Sequence, residues 1–169
     1  MKDVTIQDAV LRSAASDGMD SFVNAIVNAI NDSIGGELTT ETMTELNSDQ
    51  LTLLAWSMLH EEVMDGGFVQ LIHNGYGPFI FKNPFAKAVK QLWGMPDLAK
   101  LVYNAHSLYV KYHEKIEADC SDDEFMALFE QFPEFDDLDD EFVEREELWT
   151  EQIARYIDEH IDRFVIINQ

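Results

Sequence analysis

Three features of the sequence predict an all-α fold: a single compact helical domain of about seven helices spanning residues 1–169. Apolar residues recur at spacings of three and four along almost every segment, the period of a helix face. No run of useful length alternates apolar and polar residues, and the one β-leaning patch, Val165-Ile166-Ile167, is short. Four prolines and eight glycines leave long stretches free to be helical. Hydrophobic residues make up 46% of the chain and aromatics 11%, enough to bury a core, which excludes a disordered acidic chain.

The elements follow in order. Met19, Phe22, Val23, Ile26, Val27, Ile30 and Ile34 form one apolar face, with Gly35-Gly36 as its stop. Glu37 to Glu45 is polar and Thr-rich, compatible with a loop or a short helix. Asn47 or Ser48 caps a helix whose face is Leu51, Leu54, Ala55, Met58, Leu59 and Val63, ended by Asp65-Gly66-Gly67. Phe68 to His73 reads as a short helix, and Asn74-Gly75-Tyr76-Gly77-Pro78 as a loop. Pro84, capped by Asn83, opens a helix carrying Phe85, Val89, Leu92 and Trp93. Pro96 opens another with Leu98, Leu101, Val102, Ala105, Leu108 and Tyr109 inward. Ser121-Asp122-Asp123-Glu124 is a capping-box pattern before a helix expected to bury Phe125, Leu128 and Phe129, with Phe132 as a further candidate, and to end at Pro133. The last helix is expected from near Leu138 to about Phe164, with Phe142, Trp149, Ile153, Tyr156, Ile157 and Ile161 inward.

Charge narrows the function. The chain has 33 acids against 11 bases, a net charge of −22. That disfavours direct nucleic-acid binding and attraction to anionic membranes, both of which need Lys and Arg. No apolar run approaches a membrane span of roughly 20 residues. The opening Met1-Lys2-Asp3-Val4-Thr5 lacks a signal-peptide core, and the lone Cys120 forms no internal disulfide, so a cytoplasmic protein is expected. The charge is also segregated. Met1 to Asp65 carries −10, Gly66 to Ile116 carries +4, and Glu117 to Gln169 carries −16. Glu117 to Glu147 holds fifteen acids and one base, Arg145. Such density costs stability by self-repulsion, so it serves solubility or presents a field to a partner. Adaptation to high salt would acidify the whole surface, and here seven lysines remain.

Catalytic and metal motifs fail on inspection. His60-Glu61-Glu62 lacks the second histidine of a zinc protease motif, since that position is Met64. His106, His113 and Glu114 make at most a weak site, and half-exposed helix histidines explain them as well. Asp137, Asp139 and Glu141 alternate as in a calcium loop, but Phe142 occupies the position that needs glycine. Cys120 lies among carboxylates, which raise a thiol's pKa and quench its nucleophilicity. No nucleophile elbow or phosphate loop is present, and no carboxylate pair is singled out. No catalytic residue, metal or cofactor is expected, and the protein is read as a non-enzyme.

One segment stands out: Glu62-Val63-Met64-Asp65-Gly66-Gly67-Phe68-Val69-Gln70-Leu71-Ile72-His73-Asn74-Gly75. A helix ends in a double glycine, a Phe and a Gln follow at once, and an Asn comes six residues after the Phe. As architecture, the glycines permit a turn, Phe68 plugs the core, and Gln70 and Asn74 bond to backbone groups freed at helix ends. As a site, Gln70, His73 and Asn74 line a cleft for a small ligand.

This segment resembles the bacterial DNA-mimic family typified by a nineteen-kilodalton DNA mimic protein, otherwise catalogued as a domain of unknown function. Gly66, Gly67, Phe68, Gln70 and Asn74 match its pattern, and Asp65 stands where the family usually has Asn. Leu98 to Ala105, Phe135 to Phe142 and Tyr156 to His160 are similar to later family elements, so the family-like part covers about residues 51–164. The resemblance implies an all-helical protein, often a homodimer. It also implies surface carboxylates that imitate the phosphates of duplex DNA and occupy the DNA-binding face of a transcription regulator.

The spacing of the acids agrees. Carboxylates three or four residues apart on a helix repeat every ~5–6 Å, and two such rows approach the charge density of a DNA strand. Asp139, Asp140, Glu141, Glu144, Glu146, Glu147 and Glu151 fall on the polar side of the last helix. With Asp122, Asp123, Asp136 and Asp137 they form the expected surface for a basic DNA-binding partner. Lys82, Lys87, Lys90 and Lys100 make part of the surface unlike DNA, and the basic middle third is free to pair with the acidic last third, within one chain or across a dimer. An inhibitor or immunity-type protein for a basic toxin or nuclease fits the same charge, and a small-ligand domain fits the Gly-Gly-Phe-x-Gln cleft.

Overall fold

Helices account for nearly all the regular structure in the computed structural model, which describes residues 3–169. In chain order these are β1 (Thr5–Gln7), α1 (Asp8–Asp17), α2 (Met19–Ser33), α3 (Thr40–Met43), α4 (Ser48–His73), a π-turn (Pro78–Lys82), α5 (Phe85–Gln91), α6 (Pro96–Glu117), α7 (Asp122–Gln131), a short 3-10 turn (Pro133–Phe135), α8 (Asp136–Glu159), a second 3-10 turn (Ile161–Arg163) and β2 (Ile166–Asn168). The fold is all-α, as the periodicity predicts. The chain divides into two compact units, Met1–Leu54 with Glu147–Gln169, and Ala55–Glu146. Met1 and Lys2, where the sequence reading of a domain begins, lie outside the described residues.

In the first unit, α2 buries Phe22, Val23, Ile26, Val27 and Ile30. It stops where the sequence places its stop: Gly35 and Gly36 take φ of 76° and 80°, and the Gly36 N–H reaches back to the Asn31 carbonyl at 2.8 Å. Helix α1 and strand β1 are not legible in the sequence. Helix α1 buries only Leu11, so it carries no apolar stripe to detect. Strand β1 is three residues long and pairs in parallel with β2, Thr5 opposite Ile166 and Gln7 opposite Asn168. The β-leaning patch near the end of the chain is thus half of a two-stranded ribbon whose other half leaves no periodic trace.

The start of α4 carries a reciprocal cap. Asn47 Oδ1 accepts from the Gln50 N–H at 2.8 Å, and Gln50 Oε1 accepts from the Asn47 N–H at 3.0 Å. The two amide groups also donate outward, Asn47 Nδ2 to the Arg163 carbonyl at 2.8 Å and Gln50 Nε2 to the Phe164 carbonyl at 2.9 Å. Both amides therefore cap a helix and hold the chain's last turn. Beside them the buried Asp49 accepts from the Tyr156 hydroxyl at 3.0 Å. Burial first, and then this carboxylate, raises the Tyr156 pKa.

The second unit packs Leu59, Val63, Phe68, Leu71, Ile72, Val89, Leu98, Val102, Phe135 and Phe142 in its core. Pro96 opens α6 as expected, and Ser121 Oγ accepts from the Glu124 N–H at 3.2 Å to cap α7. Helix α5 differs by one residue. Pro84 is its cap rather than its first residue, and the Asn83 side chain donates to the Pro78 and Phe79 carbonyls of the preceding π-turn instead of capping. Helix α8 begins two residues before the expected Leu138 and ends at Glu159, with the 3-10 turn carrying the chain on to Phe164.

Replacing Gln50 by Ala removes one arm of the cap and the bond to Phe164. We expect a loss of about 1–3 kcal/mol in urea unfolding, with the helical circular dichroism unchanged in dilute buffer.

Candidate functional site

The Gly-Gly-Phe segment is a break inside α4, after which the helix resumes at once. Gly66 has φ −151° and ψ 17°, and Gly67 has φ 75° and ψ −176°, a backbone region essentially confined to glycine. The break restarts a helix at Phe68 and so exposes fresh N–H groups that have no carbonyl behind them. Asp139 of α8 supplies the acceptor: its Oδ1 takes the Phe68 N–H at 2.8 Å. A carboxylate there also faces the positive end of the restarted helix. A Cβ on Gly67 would overlap the Asp139 carboxylate, and one on Gly66 would overlap the Gln70 side chain. Both glycines thus make room for the groups that close the break. Phe68 itself is fully buried and lies against Phe135, ring centroids 6.4 Å apart.

Gln70 and Asn74 act differently from the architectural expectation. Their amides bond to carboxylates rather than to freed backbone groups. Gln70 Nε2 donates to Glu62 Oε2 at 2.8 Å and to Asp65 Oδ2 at 2.9 Å. Asn74 Nδ2 donates to the same Glu62 oxygen at 3.0 Å. These bonds splice the helix across its break. His73 donates from Nδ1 to the Ile116 carbonyl at 2.7 Å and lies over Phe125 at 4.5 Å. Gln70 Nε2, His73 Nδ1 and Asn74 Nδ2 are therefore engaged within the protein. The sequence does not single out Glu62 and Asp65 as the acceptors, although they stand four residues and one residue before Gly66.

The acids proposed for partner binding fall into two sets. Asp122, Asp123, Asp136, Asp137, Asp140, Glu144 and Glu147 are exposed. Of these, Asp136, Asp140 and Glu144 follow one another at four-residue steps on α8, and none of the seven forms an ion pair among the described residues. Asp139, Glu141, Glu146 and Glu151 are half-buried or engaged. Asp139 holds Phe68. Glu146 is hydrogen-bonded to His60 Nε2 at 2.7 Å. Glu151 pairs with Arg155 at 2.5 Å. Glu141 lies 3.9 Å from Arg145, which also meets Asp97 at 3.5 Å. The inward turn of Asp139 and Glu146 was encoded in spacing. Asp139 stands four after Phe135 and three before Phe142, and Glu146 stands four after Phe142 and three before Trp149, all buried aromatics. Both acids thus occupy the buried stripe of α8.

Other candidates are placed apart from this surface. His106 stacks on Phe81, and His113 pairs with Glu117 at 3.4 Å. The Cys120 thiol is pushed up from its ordinary pKa by desolvation and by the charges of Glu124, Asp119 and Asp122. Among the described residues, no lysine of the middle third forms an ion pair with an acid. None of the described helices is long and apolar enough to cross a membrane.

The fold and this surface define a class: an acidic all-α protein organised on a glycine-broken helix, with one set of carboxylates turned inward and another outward. The family model described as DMP19-like protein matches residues 44–160, and the chain belongs to that family. Over 131 residues it is 37% identical to DNA mimic protein DMP19 of Neisseria meningitidis serogroup B (strain ATCC BAA-335 / MC58), a match covering 76% of this chain and 78% of that protein.

Two outcomes follow for the break. Gly67→Ala is expected to destabilise by about 2–4 kcal/mol in urea unfolding, because it combines a glycine-only backbone with overlap on Asp139. Burial raises the Asp139 carboxyl from 3.8 to about 6, the Phe68 bond opposing and the charges of Asp136 and Asp140 assisting. Between those values the folded state holds a proton that the unfolded chain has released. This group's stabilising contribution is therefore greatest at low pH and is lost as pH rises toward 6. Asp139→Asn cannot titrate and keeps an oxygen for the Phe68 N–H. Its stability relative to wild type should improve by about 1 kcal/mol between pH 5 and pH 7.5, measured by urea unfolding at each pH.

Proposed function

We propose that this chain binds a basic DNA-binding protein, a transcription regulator, by presenting the outward carboxylates of α7 and α8 in place of duplex DNA. The observation that carries this reading is the exposed row Asp136, Asp140 and Glu144 on α8 with Asp137 beside it, together with the exposed Asp122 and Asp123 of α7. A four-residue step along a helix advances ~6 Å. This row alone gives one charge per ~6 Å, against ~3.4 Å along one DNA strand, and Asp137 adds a charge beside it. Acids held in ion pairs would be poor phosphate substitutes, and these six are free of them among the described residues.

The mimic surface is accordingly smaller than the acid count suggests. Asp139 and Glu146 serve the fold, and Glu141 and Glu151 are partly neutralised by arginines. The family relative whose name is DNA mimic protein supports the reading. Docking of this type is steered by opposite fields and weakens as salt screens them. The role is binding rather than catalysis, and a regulator of transcription as partner puts the chain in the cytoplasm.

The test is capture from lysate of the native cell, with wild type and Asp136→Lys/Asp140→Lys/Glu144→Lys as baits at low and moderate salt. A basic DNA-binding protein should be held by wild type, released by duplex DNA, and lost from the variant by tenfold or more. A basic toxin or nuclease in that position would instead establish an inhibitor. Equal recovery on both baits would refute the acidic row as a docking surface.

A further inference from the structure

The first unit carries a groove of about 460 Å³, within the ~300–1,000 Å³ that ligand sites occupy. Helix α2 lines it with the stripe that does not enter the core: Ser21, Asn24, Ala25, Asn28, Ala29 and Asp32. Strand β1 lines it with Thr5, Ile6 and Gln7. Val10 of α1 adds an apolar group that stands 53% exposed. None of these residues falls within residues 44–160, where the chain matches its family.

Two sets of polar groups in this groove lack partners. Asn24 and Asn28 are exposed, and their side-chain amides make no hydrogen bond among the described residues. Each amide pairs a carbonyl acceptor with N–H donors, the complement of one peptide unit. They stand four residues apart, ~6 Å along α2, close to the ~6.4–6.8 Å over which an extended chain repeats. Ala25 and Ala29 beside them are small enough to let a backbone come close. The second set belongs to β1. The Val4 carbonyl accepts from the Ile166 N–H at 2.7 Å, which assigns that edge of the strand to β2. Backbone groups alternate between the two edges of a strand, so those of Thr5 and Gln7 turn to the other one. Outside the β1–β2 ladder, the Thr5 backbone and the Gln7 N–H have no backbone partner among the described residues. An edge of this kind is a template for a further strand.

We propose that this groove binds an extended peptide carrying a lysine or arginine, its backbone held between the Asn24 and Asn28 amides and the free edge of β1, and its cation at Asp32. Charge selects this occupant. Asp32 is the one ionisable side chain among the described residues that line the groove, and it has no ion-pair partner among them. Phosphate-bearing ligands are repelled by it and by the net charge of −22. The remaining polar groups are amides and backbone, which match a main chain. From Ser21 to Asp32 the stripe runs ~16 Å, the length of about five extended residues. Strand addition of this type takes its affinity from main-chain bonds and its selectivity from a few side-chain contacts. Here those contacts are a cation at Asp32 and an apolar or β-branched residue at Val10. The inference does not rest on the mimicry reading, because it uses other residues and a different partner chemistry.

The test is panning of phage-displayed random dodecapeptides on the purified full chain, followed by titration of the dominant selected peptide. That peptide should carry Lys or Arg among β-forming residues and should shift the NMR amide signals of Thr5 and Gln7. Asn24→Ala/Asn28→Ala, at exposed helix positions and so harmless to the fold, should weaken its binding about tenfold or more. Asp32→Lys should weaken it by a similar factor. Asp136→Lys/Asp140→Lys/Glu144→Lys should leave it within about twofold of wild type, which separates the groove from the acidic row. Failure to select any peptide overturns the proposal, as does a dominant peptide without a cation. So does binding that survives the double asparagine change or is lost with the α8 variant.

Discussion

The bond from the Phe68 N–H to the Asp139 carboxylate governs the rest of the second unit. A helix interrupted by two glycines gains backbone freedom and loses hydrogen bonds, both of which cost stability. The interruption persists because an acceptor from α8 meets the first freed donor at 2.8 Å. That single contact fixes several others. It sets Phe68 against Phe135, it requires a bare Gly67, and it fixes which side of α8 faces in. Gln70 and Asn74 then secure the break from the helix's own side through Glu62 and Asp65.

The consequence for function is a division of labour among carboxylates. In a chain this acidic, charge count alone says little, because acids serve both the fold and its surface. The inward acids have partners: Phe68 for Asp139, His60 for Glu146. The outward ones on α7 and α8 are exposed and have no ion-pair partner among the described residues, which leaves them open to the proposed basic partner. Since the inward set keeps the outward set in register along α8, the fold motif and the proposed mimicry are connected through one helix without being the same residues.

Much of this was legible. The apolar stripes of α2, α4 and α6 follow from spacing. So do the stops at Gly35-Gly36 and Gly66-Gly67, the Asn47 and Ser121 caps, and Pro96 at the start of α6. Other features were hidden for physical reasons. Helix α1 has one buried side chain, and β1 is defined by a strand about 160 residues away, so neither has a local signature. The role of Asp139 sat between two signals. Its distances from Phe135 and Phe142 place it inward, while the surrounding run of acids suggests a solvated face. A contact spanning 71 residues of sequence decides between them, and no local pattern reports such a contact. The carboxylate partners of Gln70 and Asn74 escaped for a related reason: a broken helix brings together side chains that an unbroken one would separate.

Hydrogen exchange at the Phe68 amide, followed by NMR at pH 7, tests the central interaction most directly. If Asp139 closes the break, this amide is protected in wild type although it begins a helix, Asp139→Ala exposes it, and Asp140→Ala one residue along leaves it protected. Rapid exchange of the Phe68 amide in wild type, or protection that survives Asp139→Ala, would contradict the assignment of Asp139 as the group on which the broken helix depends.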